Sequence, residues 1–147
     1  MILAERGSDV HHTSLRAELK RRARRPQRHR LLHGHVLPGL AHRTLAGAEH
    51  GLEHLAIWSQ SIDPQGATPP HFHDCEEAII VQRGEGTRVF RGEERRFRAG
   101  DATIVPPSAH HQIVNTGDGP LVLVTALRTA NVVVTLPDGT PLDLPWK

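Results

Sequence analysis

The chain has 147 residues, one domain's length and enough to bury a core without disulfide staples. Its one cysteine excludes a disulfide framework and any all-thiolate metal site within one subunit. The formal charge is only +2, but the sequence pI is 9.3, because a chain with no Tyr and few Lys has little to titrate between neutrality and high pH. Aromatics make up 3% of residues and histidines number twelve, so the core must be built from Val, Ile, Leu and Ala, and imidazole is the abundant functional group.

The charge is unevenly placed. Residues 1–30 hold nine basic and three acidic side chains, whereas residues 31–147 hold nine basic and thirteen acidic ones. Residues 1–32 therefore read as a basic N-terminal arm, solvated or disordered, and residues 33–147 as a mildly acidic domain. Within the arm a short helix is predicted over Ser14–Arg25, capped by Ser14 and stopped by Pro26. Such an arm can touch a nucleic acid through counterion release, but it is too short for a helix-turn-helix domain. Arg30–Gly51 carries His33, His35, His42, Arg43 and Glu49 and so lacks the apolar run of a secretory signal. No stretch approaches the ~18 apolar residues of a membrane helix, so no membrane partner is expected and the cytoplasm is the expected compartment.

From about residue 42 the chain alternates short β-rich runs with turn signals. Strands are predicted at His54–Ile62, Ala78–Gln82, Thr87–Arg91, Glu94–Arg98, Ala102–Val105, Gln112–Val114, Leu121–Leu127 and Val132–Thr135. Gly92-Glu93 reads as a hairpin turn and Asp138-Gly139 as another tight turn. Short strands with turns every 8–12 residues argue an all-β sandwich or barrel.

The chemistry concentrates between Gly66 and Asn115. On a strand, His71 and His73 point to the same side. Glu77 lies four residues on, close enough to add a carboxylate after a short turn, and a third imidazole comes from His110 or His111 just past Pro106-Pro107. Three imidazoles and a carboxylate suit one divalent first-row metal ion (Fe, Mn, Ni, Cu or Zn) with open positions for water or substrate. Glu76 reads as a solvated neighbour and Cys75 as a small buried or edge thiol. His33 and His35 have no matching carboxylate. His42, His50 and His54 read as surface or turn residues, Phe72 as packing on the far side of its strand, and Trp58, Phe90 and Phe97 as core or pocket lining. Trp146 is a candidate for docking the tail.

These residues carry a family resemblance. Gly66, four residues, His71-Phe72-His73, three residues, Glu77, six residues and Gly84 resemble the first cupin motif, with one spacer a residue short. Gly100, five residues, Pro106-Pro107-Ser108, two residues, His111, three residues and Asn115 resemble the second, with Ser108 where Gly is usual. The resemblance covers roughly residues 40–135. The fifteen residues between the motifs match small bacterial single-domain cupins. It implies a single cupin double-stranded β-helix, a jelly-roll barrel, carrying the basic arm. It implies His71, His73, Glu77 and His111 as ligands of one divalent transition metal ion, with His110 outside the pattern. It also implies a homodimer paired through its sheets and a small-molecule substrate or ligand. Dioxygenase, isomerase and lyase chemistry all occur in the family; a non-catalytic binding or sensor module is the alternative. Subgroups that use a Tyr beside the metal are disfavoured, since this chain has none, and no acid or base of the catalytic step is identifiable, while Gln60, Gln112 and strand arginines are candidates to orient a substrate.

Overall fold

The computed structural model describes residues 34–144. The predicted helix Ser14–Arg25, His33 and Trp146 lie outside the described residues. Nine strands are present among those described: β1 Gly34–Leu37, β2 Leu40–Ala46, β3 Ala56–Ile62, β4 Glu77–Arg83, β5 Glu85–Phe90, β6 Glu93–Arg98, β7 Ala102–Val105, β8 His111–Asn115 and β9 Leu121–Leu127. They form a six-stranded sheet, order β1-β2-β3-β9-β4-β7, and a three-stranded sheet, order β6-β5-β8. All pairings are antiparallel. This is the all-β jelly-roll architecture the sequence implies.

Period-two patterning sets the inner face. Leu121, Leu123, Thr125 and Leu127 of β9 are buried while Val122, Val124 and Ala126 are half-buried on the other side. In direct register with them stand Ile62, Gln60, Trp58 and Ala56 of β3, and Val81, Ile79 and Glu77 of β4. The core between the sheets holds Leu40, Ile62, Ile79, Val81, Phe97, Val105, Ile113, Leu121 and Leu123. A second apolar cluster joins Ala56, Trp58 and Leu127 to Val132, Val134 and Leu144 of the C-terminal segment.

The motif residues outside the metal pattern act through the backbone. Gly84 has φ +86°, and a Cβ there would sit 2.5 Å from the Pro120 carbonyl oxygen, so no other residue fits the end of β4. The Asn115 side-chain amide donates to the carbonyls of Ile62 and Gly119 at 2.9 Å, and its Oδ1 accepts the Gly117 N–H at 2.9 Å. One buried side chain thus ties β8 to β3 and shapes the turn before β9. Ser108, at φ +61°, adopts the left-handed conformation usually given to glycine. Its N–H donates to the His73 carbonyl at 2.7 Å, which fixes that turn against the His71–His73 segment.

Two expectations are corrected. Val132–Thr135 is not a strand of either sheet; only Thr135 forms isolated bridges, to Phe72 and Pro141. Val132 and Val134 are buried and Val133 exposed, so the alternation reports a segment laid over the barrel. His42 is not a surface residue. It lies in β2, 6% exposed, facing inward opposite Gln60.

Candidate metal centre

Three stretches of chain bring the imidazoles together. His71 and His111 form an antiparallel bridge, with reciprocal N–H to carbonyl bonds of 3.0 and 2.9 Å. Phe72 is bridged on the opposite side to Thr135, with bonds of 2.9 and 3.0 Å. The segment is thereby held extended, and alternation sends His71 and His73 the same way, ring centroids 5.1 Å apart. His111 opens β8 with its ring 4.3 Å from that of His71. Glu77 opens β4, and its Oε2 lies 3.1 Å from His111 Nε2 and 3.7 Å from His73 Nε2. All four side chains are buried. Alternation also resolves the pair left open by spacing: His110 is exposed and stacks on Phe72, rings 4.5 Å apart.

The hydrogen bonds decide which nitrogen each ring presents. Nδ1 of His71 lies 2.7 Å from the Pro69 carbonyl oxygen, Nδ1 of His73 2.8 Å from that of Val133, and Nδ1 of His111 2.9 Å from that of Ala109. A carbonyl oxygen only accepts, so each Nδ1 carries the proton and donates. In the neutral ring the lone pair is then on Nε2. Three lone pairs and the Glu77 carboxylate, an acceptor when ionised, remain. Glu77 Oε2 and His111 Nε2 are buried with no hydrogen-bond partner. Facing acceptors without a hydrogen between them repel, and a buried orphan of this kind costs about 1–3 kcal/mol. A cation among them removes the conflict. The ligand atoms of His71, His73 and His111 lie within 4.8 Å of one another. Neutral imidazoles with their distal N–H on carbonyls, plus one carboxylate, are the donor set of a first-row divalent ion with second-shell orientation in place.

Electrostatics agree with that assignment. Burial, and next the neighbouring His111, push His71 down to about 4, which keeps it neutral and able to ligate at pH 7. Burial alone would raise Glu77. Positive charge on the imidazole side, as a hydrogen bond from a protonated His111 and next as attraction from His73, outweighs burial and holds its carboxyl below the usual carboxylate range, so the position favours a cation.

Other residues weighed from sequence fall as follows. Glu76 is exposed and 3.8 Å from Arg128. Cys75 is half-buried against the C-terminal apolar cluster. Gln112 donates to the Thr68 carbonyl at 2.9 Å and does not face the imidazoles. Sequence reasoning named Gln60 but missed the inner polar row of β2 and β3 to which it belongs. There Gln60 Nε2 donates to His42 Nδ1 at 3.3 Å, so His42 Nε2 carries the proton, 3.2 Å from Thr44 Oγ1. Trp58 meets His42 edge-on at 4.7 Å and His73 at 6.2 Å. Trp58 also lines a cavity of about 340 Å³ with Ala56, Val132, Leu144, Thr44 and Asn131.

Comparison with known proteins bears on this arrangement. A protein-family model described as a cupin domain matches residues 58–127, the stretch that spans both motifs. The chain belongs to the cupin superfamily. Auxin-binding protein 1 of Arabidopsis thaliana is 38% identical over 90 residues, 54% of this chain and 46% of the relative. The cupin chain spans about half the length of the curated relatives it matches. Among solved structures it is similar to a Cupin 2 conserved barrel domain protein from Salinispora arenicola. That match has 24% identity and a TM-score of 0.58, and covers 65% of this chain and 80% of the other. An oxalate oxidase in complex with glycolate matches at 22% identity and TM-score 0.61, covering 67% of this chain and 55% of the other. Likeness at these identities concerns the fold.

Proposed function

We propose that this cupin binds one divalent first-row metal ion through His71, His73, His111 and Glu77 and acts on a small organic molecule held beside it. The observation that carries the reading is the set of converging acceptors, two of them buried without a partner. When bound, the ion supplies a Lewis acid that polarises a substrate oxygen, or a redox couple. The chain's own residues do the rest. The three backbone carbonyls hold the imidazoles in one tautomer, Glu77 lowers the net charge of the centre, and Trp58, its ring 6.2 Å from that of His73, offers an apolar wall for the body of the molecule. Dioxygenase-, isomerase- or lyase-type turnover is the reaction class. The test is elemental analysis of protein purified without added metal: about one ion per chain in wild type and a loss of most of it in His73→Ala. Near-zero content in both sinks the reading.

A non-catalytic binding module is the second reading, and one observation favours it. His42, which packs edge-on against Trp58, has both ring nitrogens engaged, by Gln60 and Thr44, and so is held out of acid–base work. The curated relatives, too, are named for binding auxin. Metal-dependent turnover or oxygen uptake across a panel of small acids, diols and phenols supports the enzyme; tight binding with no turnover supports the module.

We also propose that two copies pair through the outer face of the six-stranded sheet. An antiparallel sheet with one face in water alternates apolar and polar. Here Ile57, Ala78, Ile80, Ile104, Val124 and Ala126 share the outer face, Ile104 being 62% exposed. These residues lie on the four strands β3, β9, β4 and β7, which at ~4.8 Å spacing give a patch of roughly 400 Å² per copy, the size of a small, weak interface. Light scattering is expected to give twice the 16.2 kDa of one chain and to drop to one chain in Ile104→Arg. A wild-type monomer overturns the pairing.

A further inference from the structure

A second concentration of charge lies where the free edges of the two sheets face one another. β6 ends the three-stranded sheet and β7 ends the six-stranded one. Between them runs a groove of about 410 Å³ walled by Arg88, Arg95, Arg96, Asp101, Thr103 and Ile104. Arg88 and Arg95 are direct partners in the β5–β6 ladder, on the face that also carries the buried Phe97. Like charges directly opposite one another destabilise an antiparallel pair. The nearby carboxylates do not relieve this. Glu93 approaches Arg95 only to 3.7 Å, with both side chains about 70% exposed, which makes a weak pair. Asp101 Oδ2 already accepts the Arg98 N–H at 3.0 Å.

Arg88 is also held in place. Its Nη1 donates to Thr103 Oγ1 at 2.7 Å and to the Ile104 carbonyl at 3.1 Å, and its guanidinium lies 5.4 Å from the centre of the Phe90 ring. A fixed guanidinium loses little freedom when it gains a ligand, and its fork matches an oxyanion in two-pronged geometry. Arg96, the next residue of β6, alternates to the opposite face, so the guanidiniums of Arg88 and Arg95 stand here against the single carboxylate of Asp101, a positive surplus that an oxyanion neutralises.

We propose that this groove binds a phosphoryl oxyanion, free or carried on a small molecule, at a site separate from the metal centre. Arg95 supplies the charge from β6, and Arg88 supplies a preset donor from β5. The ligand bridges the two sheet edges. This stands whether or not the metal reading holds, because none of its residues is a proposed ligand.

The test is calorimetric titration and thermal melting of the full chain with inorganic phosphate and, in a parallel arm, glycerol phosphate, both at fixed ionic strength. Wild type is expected to bind saturably with sub-millimolar to low-millimolar affinity. Arg95→Gln weakens binding about tenfold, Arg95→Lys less, and the equal charge loss Arg128→Gln leaves it unchanged. Tighter binding of glycerol phosphate than of phosphate identifies a carried group; equal binding identifies the free ion. Arg95→Gln must leave the metal content of the protein unchanged. Absence of saturable binding below 20 mM, or equal binding by wild type and Arg95→Gln, overturns the proposal; the second result would place the phosphate elsewhere, the metal included.

Discussion

Removing the proposed ion with a chelator is expected to lower the melting temperature of this cupin by about 8–16 °C, and re-adding it to restore the loss. A ligand present at a thousand times its dissociation constant stabilises by ~4 kcal/mol, and each kcal/mol shifts a domain of this size by ~2–4 °C. The physical source is the conflict at the centre. Three Nε2 lone pairs and the Glu77 carboxylate face one another, and two of these acceptors are buried without a hydrogen-bond partner. Without the ion the folded chain bears that repulsion, while the unfolded chain gives every acceptor to water. His73→Ala should melt at one temperature with or without chelator. A wild-type melting temperature that is indifferent to chelator and to added Mn, Fe, Ni or Zn would show that no ion resolves the conflict.

Acid is expected to unfold the metal-free protein well before its carboxylates titrate, with His42 as a main cause. Burial pushes His42 down to about 3 from an ordinary 6.5, and His71 down to about 4. Below pH 6.5 the unfolded chain takes up protons that the folded rings refuse, so stability falls as pH falls. The loss continues until the pH reaches the folded value of each group. One such proton corresponds to ~1.4 kcal/mol per pH unit, so two histidines give a slope of up to ~2.7 kcal/mol per unit between pH 6 and 4. His42→Gln keeps a polar side chain opposite Gln60 and removes one titrating group. Its slope, read from urea midpoints of chelated protein, should be about half that of wild type. Equal slopes in the two proteins would mean that His42 takes a proton in the folded state.

The sequence was most informative where spacing and backbone conformation coincide. Gly84 and Gly100 sit at positive φ, and Asn115, the last residue of the second motif, proves to build the turn before β9. Leu121–Leu127 and Ala102–Val105 were legible to the residue, because period-two apolar patterning marks a strand packed on a core. The same rule misread Val132–Thr135, since alternation reports that one side faces apolar atoms and says nothing of ladder hydrogen bonds. β2 went unread as a whole, because Ala41-His42-Arg43-Thr44 presents no apolar alternation although His42 faces inward. The tautomers were beyond sequence altogether. Two of the three carbonyls that set them lie two residues upstream of their histidines, but the third comes from Val133, sixty residues after His73.

That last bond sets an order of events. His73 can present Nε2 inward only once the C-terminal segment has crossed the barrel and delivered the Val133 carbonyl to Nδ1. Phe72 waits on the same segment for its pairing with Thr135. A chain still emerging from synthesis, with its two motifs already translated, therefore holds a centre of which only the His111 and His71 arms have their local supports. In the proposed metal centre the C-terminal segment is therefore the last support to arrive, a latch on the finished ligand set.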